Sequence, residues 1–283
     1  MKRTVVNVTT SLLAFVCGLS IASDSKPVKN EEPKVIDCAS TLAPAAIVET
    51  APTPEAEVVF GEDRLRVVAE EIHLKSERLR YEVDVTYPQI LGSEDRQTRK
   101  LNQLLKQVAI EQYQWLLTPS KEDLQYYRTG PHPEAFNSLD LDYDVVLATD
   151  SVLSIYFNGY SYGIGAAHSV QYSFVINYDL VSGKELKLAR LFKRHSRYLE
   201  FISRYCNDKV SVKIPAGALF AEALAPIDAN FESWNLTRDG IRFNFDACKL
   251  SGCAAGEHTV EIPYAEMKSI LSTEMKLLKQ LGV

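Results

Sequence analysis

Residues 154–192 (SIYFNGYSYGIGAAHSVQYSFVINYDLVSGKELKLARLF) set two aromatic-rich, strand-like runs on either side of a glycine-rich turn. An Asp-Leu-Val-Ser-Gly-Lys turn and the start of an amphipathic helix follow. Aromatic and β-branched residues suit a pleated, half-buried surface, and glycine supplies the backbone freedom of a tight connection. This ordering calls for an antiparallel sheet with helix laid against it.

The rest of the chain extends that pattern. Residues 79–85 (LRYEVDV) alternate apolar and polar, which predicts a strand, and Pro88 is expected to break it. A helix is predicted over 94–117 from the stripe Leu101, Leu104, Leu105, Val108, Tyr113, Trp115 and Leu116, ended by Thr118-Pro119. Residues 120–138, with Gly130-Pro131 and Pro133, read as loop. Strands are predicted over 141–147, 152–160 and 169–178, and a second amphipathic helix over 188–208. Short strands at 240–245 and 259–262 precede a last helix at 265–281. The expected fold class is α+β, an antiparallel β-sheet with two to three packed helices.

The N-terminus reads as an export signal. Lys2 and Arg3 precede a mostly apolar run, and Ser20-Ile21-Ala22 puts small residues where a signal peptidase reads, so 1–22 is expected to be cleaved before Ser23. Retention as a membrane anchor and lipidation at Cys17 are the alternatives; bulky Val16 stands against the second. Membrane association is expected only in those two cases. Residues 23–57, with Pro27, Pro33, Pro44, Pro52 and Pro54, read as a disordered Pro/Ala/Glu-rich tether. The protein is therefore expected to be exported, periplasmic or envelope-associated.

Export makes disulfides the expected use of cysteine. Cys248 and Cys253 are the first pair, because Ser251 and Gly252 between them help close a small loop. The pairing of Cys38 and Cys206 stays open. No cysteine spacing resembles a metal site, and no metal or cofactor is expected. A formal net charge of −6, with no basic stripe, argues against nucleic acid as partner.

Among polar residues, Asp140, Asp142 and Asp144 alternate and so share one strand face. A calcium loop would want glycine and glutamate where Val145 and Ser151 stand, so a solvated face or a charged edge is the reading. Of the aromatics, Tyr160 and Tyr162 lie nearest the turn and are candidates for sugar or protein contacts. His168 follows Gly165-Ala166-Ala167 and has the chemistry of an acid, base or ligand, but no nucleophile motif accompanies it. Its structural reading is a cap on a strand connection. Asn235-Leu236-Thr237 matches a glycosylation acceptor that matters only in a eukaryotic secretory pathway.

Tyr162-Gly163 with 165–168, Asn177-Tyr178-Asp179-Leu180, Ser182-Gly183-Lys184, Leu-Ala-Arg-Leu-Phe at 188–192, and the closing pieces at 239–245 and 255–264 together resemble the RsiV-like extracytoplasmic domain. Residues 81–90 and the helix around Asn102 resemble its usual companion region. The resemblance implies a companion region over 58–138 and an α+β domain over 139–283. Such domains occur in a lysozyme-sensing anti-sigma factor and beside a peptidoglycan deacetylase. The resemblance therefore implies an exported envelope protein that binds a cationic, lysozyme-like protein or cell-wall glycan without catalysis. Tyr160, Tyr162, Gly163, Gly165 and His168 would shape the surface, and Asp140, Asp142 and Asp144 would steer a basic partner. The alternative is a peptidoglycan-acting hydrolase or deacetylase using His168 with a nearby aspartate. A structural envelope protein without ligand is the third reading.

Overall fold

The computed structural model describes residues 58–59, 65–91, 95–215 and 217–272, all within one compact unit. The expected signal segment and the whole of the tether, with Cys17 and Cys38, lie outside the described residues, as do residues 273–283, which include the end of the last predicted helix.

A seven-stranded sheet forms the body, with strands in sequence order: β1 (Val58–Val59), β2 (Arg66–Ser76), β3 (Tyr81–Leu91), β4 (Asn137–Ala148), β5 (Val152–Tyr162), β6 (Val170–Asp179) and β7 (Lys184–Glu185). All neighbours run antiparallel except β3 and β4, which pair in parallel over Tyr81–Val85 against Asn137–Leu141. That pair is joined by the crossover that carries α1 (Arg96–Leu117) and α2 (Lys121–Thr129). The fold is α+β as expected.

Pro88 does not end β3; it pairs with Ala69 within the strand. The strand survives because β4 pairs with β3 only as far as Val85, so Pro88 sits on a stretch with one strand neighbour and its missing N–H is tolerated. The stretch read as loop contains α2. Ser120 accepts from the Asp123 N–H while the Asp123 carboxylate accepts from the Ser120 N–H, a reciprocal cap that starts the helix.

α1 covers one face of the sheet. Leu101, Leu105, Ala109, Tyr113 and Leu116 are buried there against Val83, Val85, Leu139, Leu141 and Phe157. The stripe is narrower than expected, because Trp115 is 49% exposed.

A second sheet of three strands has the order β10 (His258–Pro263), β9 (Gly240–Phe245) and β8 (Trp234–Leu236). It shares an apolar core with α3 (Tyr198–Val210) and α4 (Tyr264–Met267). The predicted helix over 188–208 is in fact a 3₁₀ turn at Leu188–Leu191, then α3; between them His195 adopts a φ of 62° that no helix continues through.

Candidate functional site

Side chains alternate across a strand, so register decides which residues share a face. One row of Cα partners crosses the body sheet: His73, Asp84, Asp140, Tyr160 and Gln171. Beside it run Asp142, Asn158 and Ser173, and then Asp144, Tyr156 and Val175. Tyr162 lies on the other flank, opposite Ser138. All of these occupy the face opposite α1, here called the outer face.

The small sheet covers one end of the outer face through buried polar groups. Ser154 Oγ donates to Asn177 Oδ1 at 2.7 Å, and Asn177 Nδ2 donates to the Trp234 carbonyl at 2.6 Å. Asn235 Nδ2 reaches both Ser154 Oγ at 3.0 Å and the Ile155 carbonyl at 3.1 Å. Asn244 Nδ2 donates to Asn235 Oδ1 at 2.9 Å. Asn235 is fully buried, so the glycosylation triplet is occupied by this network. The half of the outer face that carries Asp140, Asp142, Asp144 and Tyr160 stays exposed, with Tyr160 at 42%.

Electrostatics on the open half are dominated by carboxylates. His73 Nδ1 contacts Asp84 at 2.5 Å and His73 Nε2 contacts Glu71 at 3.2 Å, and these hydrogen bonds raise the imidazole pKa above its ordinary value. Asp140 is held above the usual carboxylate range, first by desolvation and then by the neighbouring Asp84 and Glu82. Asp142 accepts from the Tyr143 N–H at 2.8 Å.

Tyr162, Gly163, Gly165 and His168 lie at the hairpin that joins β5 to β6, at the edge of the open half. Asn137, itself buried, anchors this hairpin: it accepts from the Ile164 N–H at 2.9 Å, and its own backbone and side-chain N–H groups donate to the Arg80 carbonyl. Gly165 has φ 92°, and a Cβ there would stand 2.5 Å from the Tyr126 hydroxyl of α2. Gly163 has open space around it and no such requirement. His168 is exposed, and its Nδ1 lies 2.9 Å from the Ser169 carbonyl. A carbonyl can only accept, so Nδ1 carries the proton in the neutral ring and Nε2 keeps its lone pair.

At the border between the open half and the small sheet is a cleft of about 350 Å³. Its walls come from β6 (Ser173 and Val175), from the segment before β8 (Asn230 and Glu232), and from β9 and the turn after it (Asn244 and Lys249). Asp246 stitches the border by accepting from the Ser173 N–H at 3.1 Å and from Ser173 Oγ; Gln171 does the same by donating to Glu257. The expected disulfide forms between Cys248 and Cys253 and closes the turn that holds Lys249. Cys206 is a buried free thiol whose pKa burial pushes up to about 12. Among the described residues no His, Cys, Asp and Glu side chains group closely enough to hold a metal ion, and no helix is long and apolar enough to cross a membrane.

The structure thus divides the candidate residues between two adjoining regions. Asp140, Asp142, Asp144 and Tyr160 share the sheet face, whereas Tyr162, Gly163, Gly165 and His168 gather at its hairpin end. Sequence reasoning missed His73, Ser173 and Lys249. The alternation in LRYEVDV already put Asp84 on a polar face, but nothing local pointed to the others.

Residues 74–171 match the family model described as "Deacetylase PdaC". The curated peptidoglycan-N-acetylmuramic acid deacetylase PdaC of Bacillus subtilis (strain 168) is 31% identical over 146 residues, which is 50% of this chain and 31% of that protein. The chain therefore spans about a third of that relative's length. Among solved structures, a DUF3298 family member from Bacteroides fragilis NCTC 9343 aligns with a TM-score of 0.57 at 16% identity, covering 77% of this chain and 97% of its own. A DUF3298 family protein from Pseudomonas aeruginosa PAO1 aligns with a TM-score of 0.51 at 19% identity, covering 75% and 96%. The expectation of a protein without catalysis is corrected by the first of these relatives, which is a deacetylase. None of these matches carries the RsiV-like assignment or lysozyme recognition. What they establish is a PdaC-like segment within a fold of the DUF3298 kind.

Proposed function

We propose that the protein acts on peptidoglycan in a deacetylase-type reaction at the cell envelope, meeting the glycan with the open half of the outer face and the β5–β6 hairpin. One observation carries this reading. The segment similar to the deacetylase family, 74–171, is the segment that holds Asp140, Asp142, Asp144, Tyr160, Tyr162, Gly163, Gly165 and His168. The relative's activity enters here by similarity, since the chain spans only part of it.

The chemistry of the surface suits a sugar. Exposed Tyr160 offers a ring for the apolar face of a pyranose, and Asp140 and Asp142 offer acceptors for its hydroxyls. Hydrolysis of an acetamido group adds the water oxygen to the acetyl carbon, breaks the C–N bond, and returns a proton to the departing amine. His168, with Nε2 unprotonated and the ring exposed, is the group at the hairpin able to carry that proton. A peptidoglycan substrate also fits the export signal read at 1–22.

Acetate released from acetylated peptidoglycan by the whole chain tests the reading. Release is expected, with at least a hundred-fold loss in His168→Ala at an unchanged melting temperature, as for removal of a general base, roughly 10²–10⁴-fold. Absence of both acetate release and co-sedimentation with peptidoglycan would overturn it.

A further inference from the structure

The two sides of the body sheet carry opposite charge. The outer face holds Asp84, Asp140, Asp142 and Asp144, whereas α1, on the other side, opens with Arg96, Arg99 and Lys100 and has no acidic residue in its first turn. A helix N-terminus favours negative charge, so these three cations are set against the helix dipole. Spacings of three and four residues make them neighbours on one exposed surface. Arg96 and Lys100 make no side-chain hydrogen bond or ion pair among the described residues, so no partner there accounts for their placement.

Register gathers more of the same kind at this end. Because β3 and β4 run parallel, β3 ends at Leu91 on the side where β4 ends, β5 starts and β6 ends. The turn from β6 to β7 lies against the first turn of α1, where Gln97 Nε2 donates to the Val181 carbonyl at 3.5 Å. Lys184 and Lys187, both exposed, follow that turn and likewise have no side-chain partner among the described residues. Of the carboxylates at this end, Asp95 and Asp179 accept from backbone N–H groups of their own turns, while Asp150 and Glu185 are exposed. Two apolar side chains also protrude here, Val181 at 62% exposed and Leu91 at 42%. The chain enters the body at the same end, since β1 pairs with Arg66 and Val67 at the start of β2, and the residues before it include the apolar run at 5–22.

We infer that this end of the molecule rests on an anionic lipid bilayer, with Arg96, Lys100, Lys184 and Lys187 at the phosphates and Val181 at the acyl boundary. Cations around a protruding apolar side chain match a bilayer surface, which offers phosphate and hydrocarbon together; a soluble polyanion offers only the first. The formal net charge of −6 does not oppose the contact. The carboxylates of the outer face lie across the sheet from α1, and exposed charges further apart than about 8 Å are largely screened at physiological salt. β5 spans 11 residues at about 3.3 Å each, so the hairpin with Tyr162 and His168 stands roughly 35 Å above the lipid.

The test is sedimentation of the whole chain with vesicles of phosphatidylcholine, alone or mixed with phosphatidylglycerol in about a 2:1 ratio. Residues 1–57 are common to every variant, so whatever binding they add cancels in the comparison. The triple variant Arg96→Gln/Lys100→Gln/Lys184→Gln should bind the anionic vesicles about a hundred-fold more weakly, several-fold for each cation, and phosphatidylcholine as before. Lys121→Gln/Arg128→Gln/Lys249→Gln, the same change in charge away from this end, should bind as the wild type does. Val181→Ser should weaken vesicle binding several-fold and leave any binding of soluble polyphosphate unchanged. Unchanged melting temperatures show that the variants fold. Equal binding by the wild type and the first triple variant, or equal loss in both triple variants, would overturn the inference. Polyphosphate bound as tightly as the anionic vesicles, with no effect of Val181→Ser on either, would overturn it too and assign the cations to a soluble polyanion.

Discussion

Gly165 and Tyr126 set the end of the β5–β6 hairpin between them. The positive φ of Gly165 disfavours any L side chain, and the Tyr126 hydroxyl occupies the space a Cβ would need. Gly165→Ala should therefore destabilise the protein by about 1–2 kcal/mol in urea unfolding, with part of that recovered in the Tyr126→Phe background. Gly163→Ala, into open space, should be near neutral. Across the sheet, His73 titrates above 6.5 because Asp84 and Glu71 favour its charged form. Its contribution to stability is complete below 6.5 and is lost as pH rises through the higher folded value. Asp84→Asn should bring the His73 titration, followed by NMR, back toward 6.5 and reduce this loss of stability above pH 6.5. Both side chains are about half exposed, so the effect should fade in high salt.

α2 shows how a short element is specified. Ser120→Ala removes half of its reciprocal cap and should cost about 1 kcal/mol, measured as a shift in the urea midpoint. The Ser-x-x-Asp spacing was present in the sequence, yet Gly130-Pro131 and Pro133 drew the whole stretch toward loop. β2 was missed for a different reason. Its Glu70-Glu71 and Lys75 dilute the alternation, and Glu77-Arg78-Leu79-Arg80 contains no Gly, Pro or Asn; Arg80 makes the turn at φ 57°. The aspartates of β4 were legible because alternation is local. That His73 and Asp84 join their row was not, because it depends on a parallel pairing reached through two helices. On α3, Cys206 is buried with its pKa pushed up to about 12, so in native protein this thiol should not react with iodoacetamide at pH 8, while in unfolded protein it should, as read by peptide mapping of the labelled cysteine.

At the scale of the whole molecule, the small sheet is what turns a flat face into a candidate site. It covers Ser154 and Asn177 and stops short of Asn158 and Tyr160, leaving a step with the cleft at its foot. Asn235 holds that arrangement. Asn235→Ala should strip partners from Ser154 and Asn244 and destabilise by about 2–3 kcal/mol. None of this was legible beforehand, since the residues meeting at the step come from distant segments, such as Ser173 with Asp246 and Ser154 with Asn235. We propose that this surface acts on peptidoglycan. Its most direct test is acetate release from acetylated peptidoglycan by the whole chain, compared with His168→Ala and Tyr160→Ala. Release by the wild type is expected, with at least a hundred-fold less from His168→Ala, as for loss of a general base, and weaker sedimentation with the wall for Tyr160→Ala. A wild-type protein that neither releases acetate nor sediments with the wall would contradict it.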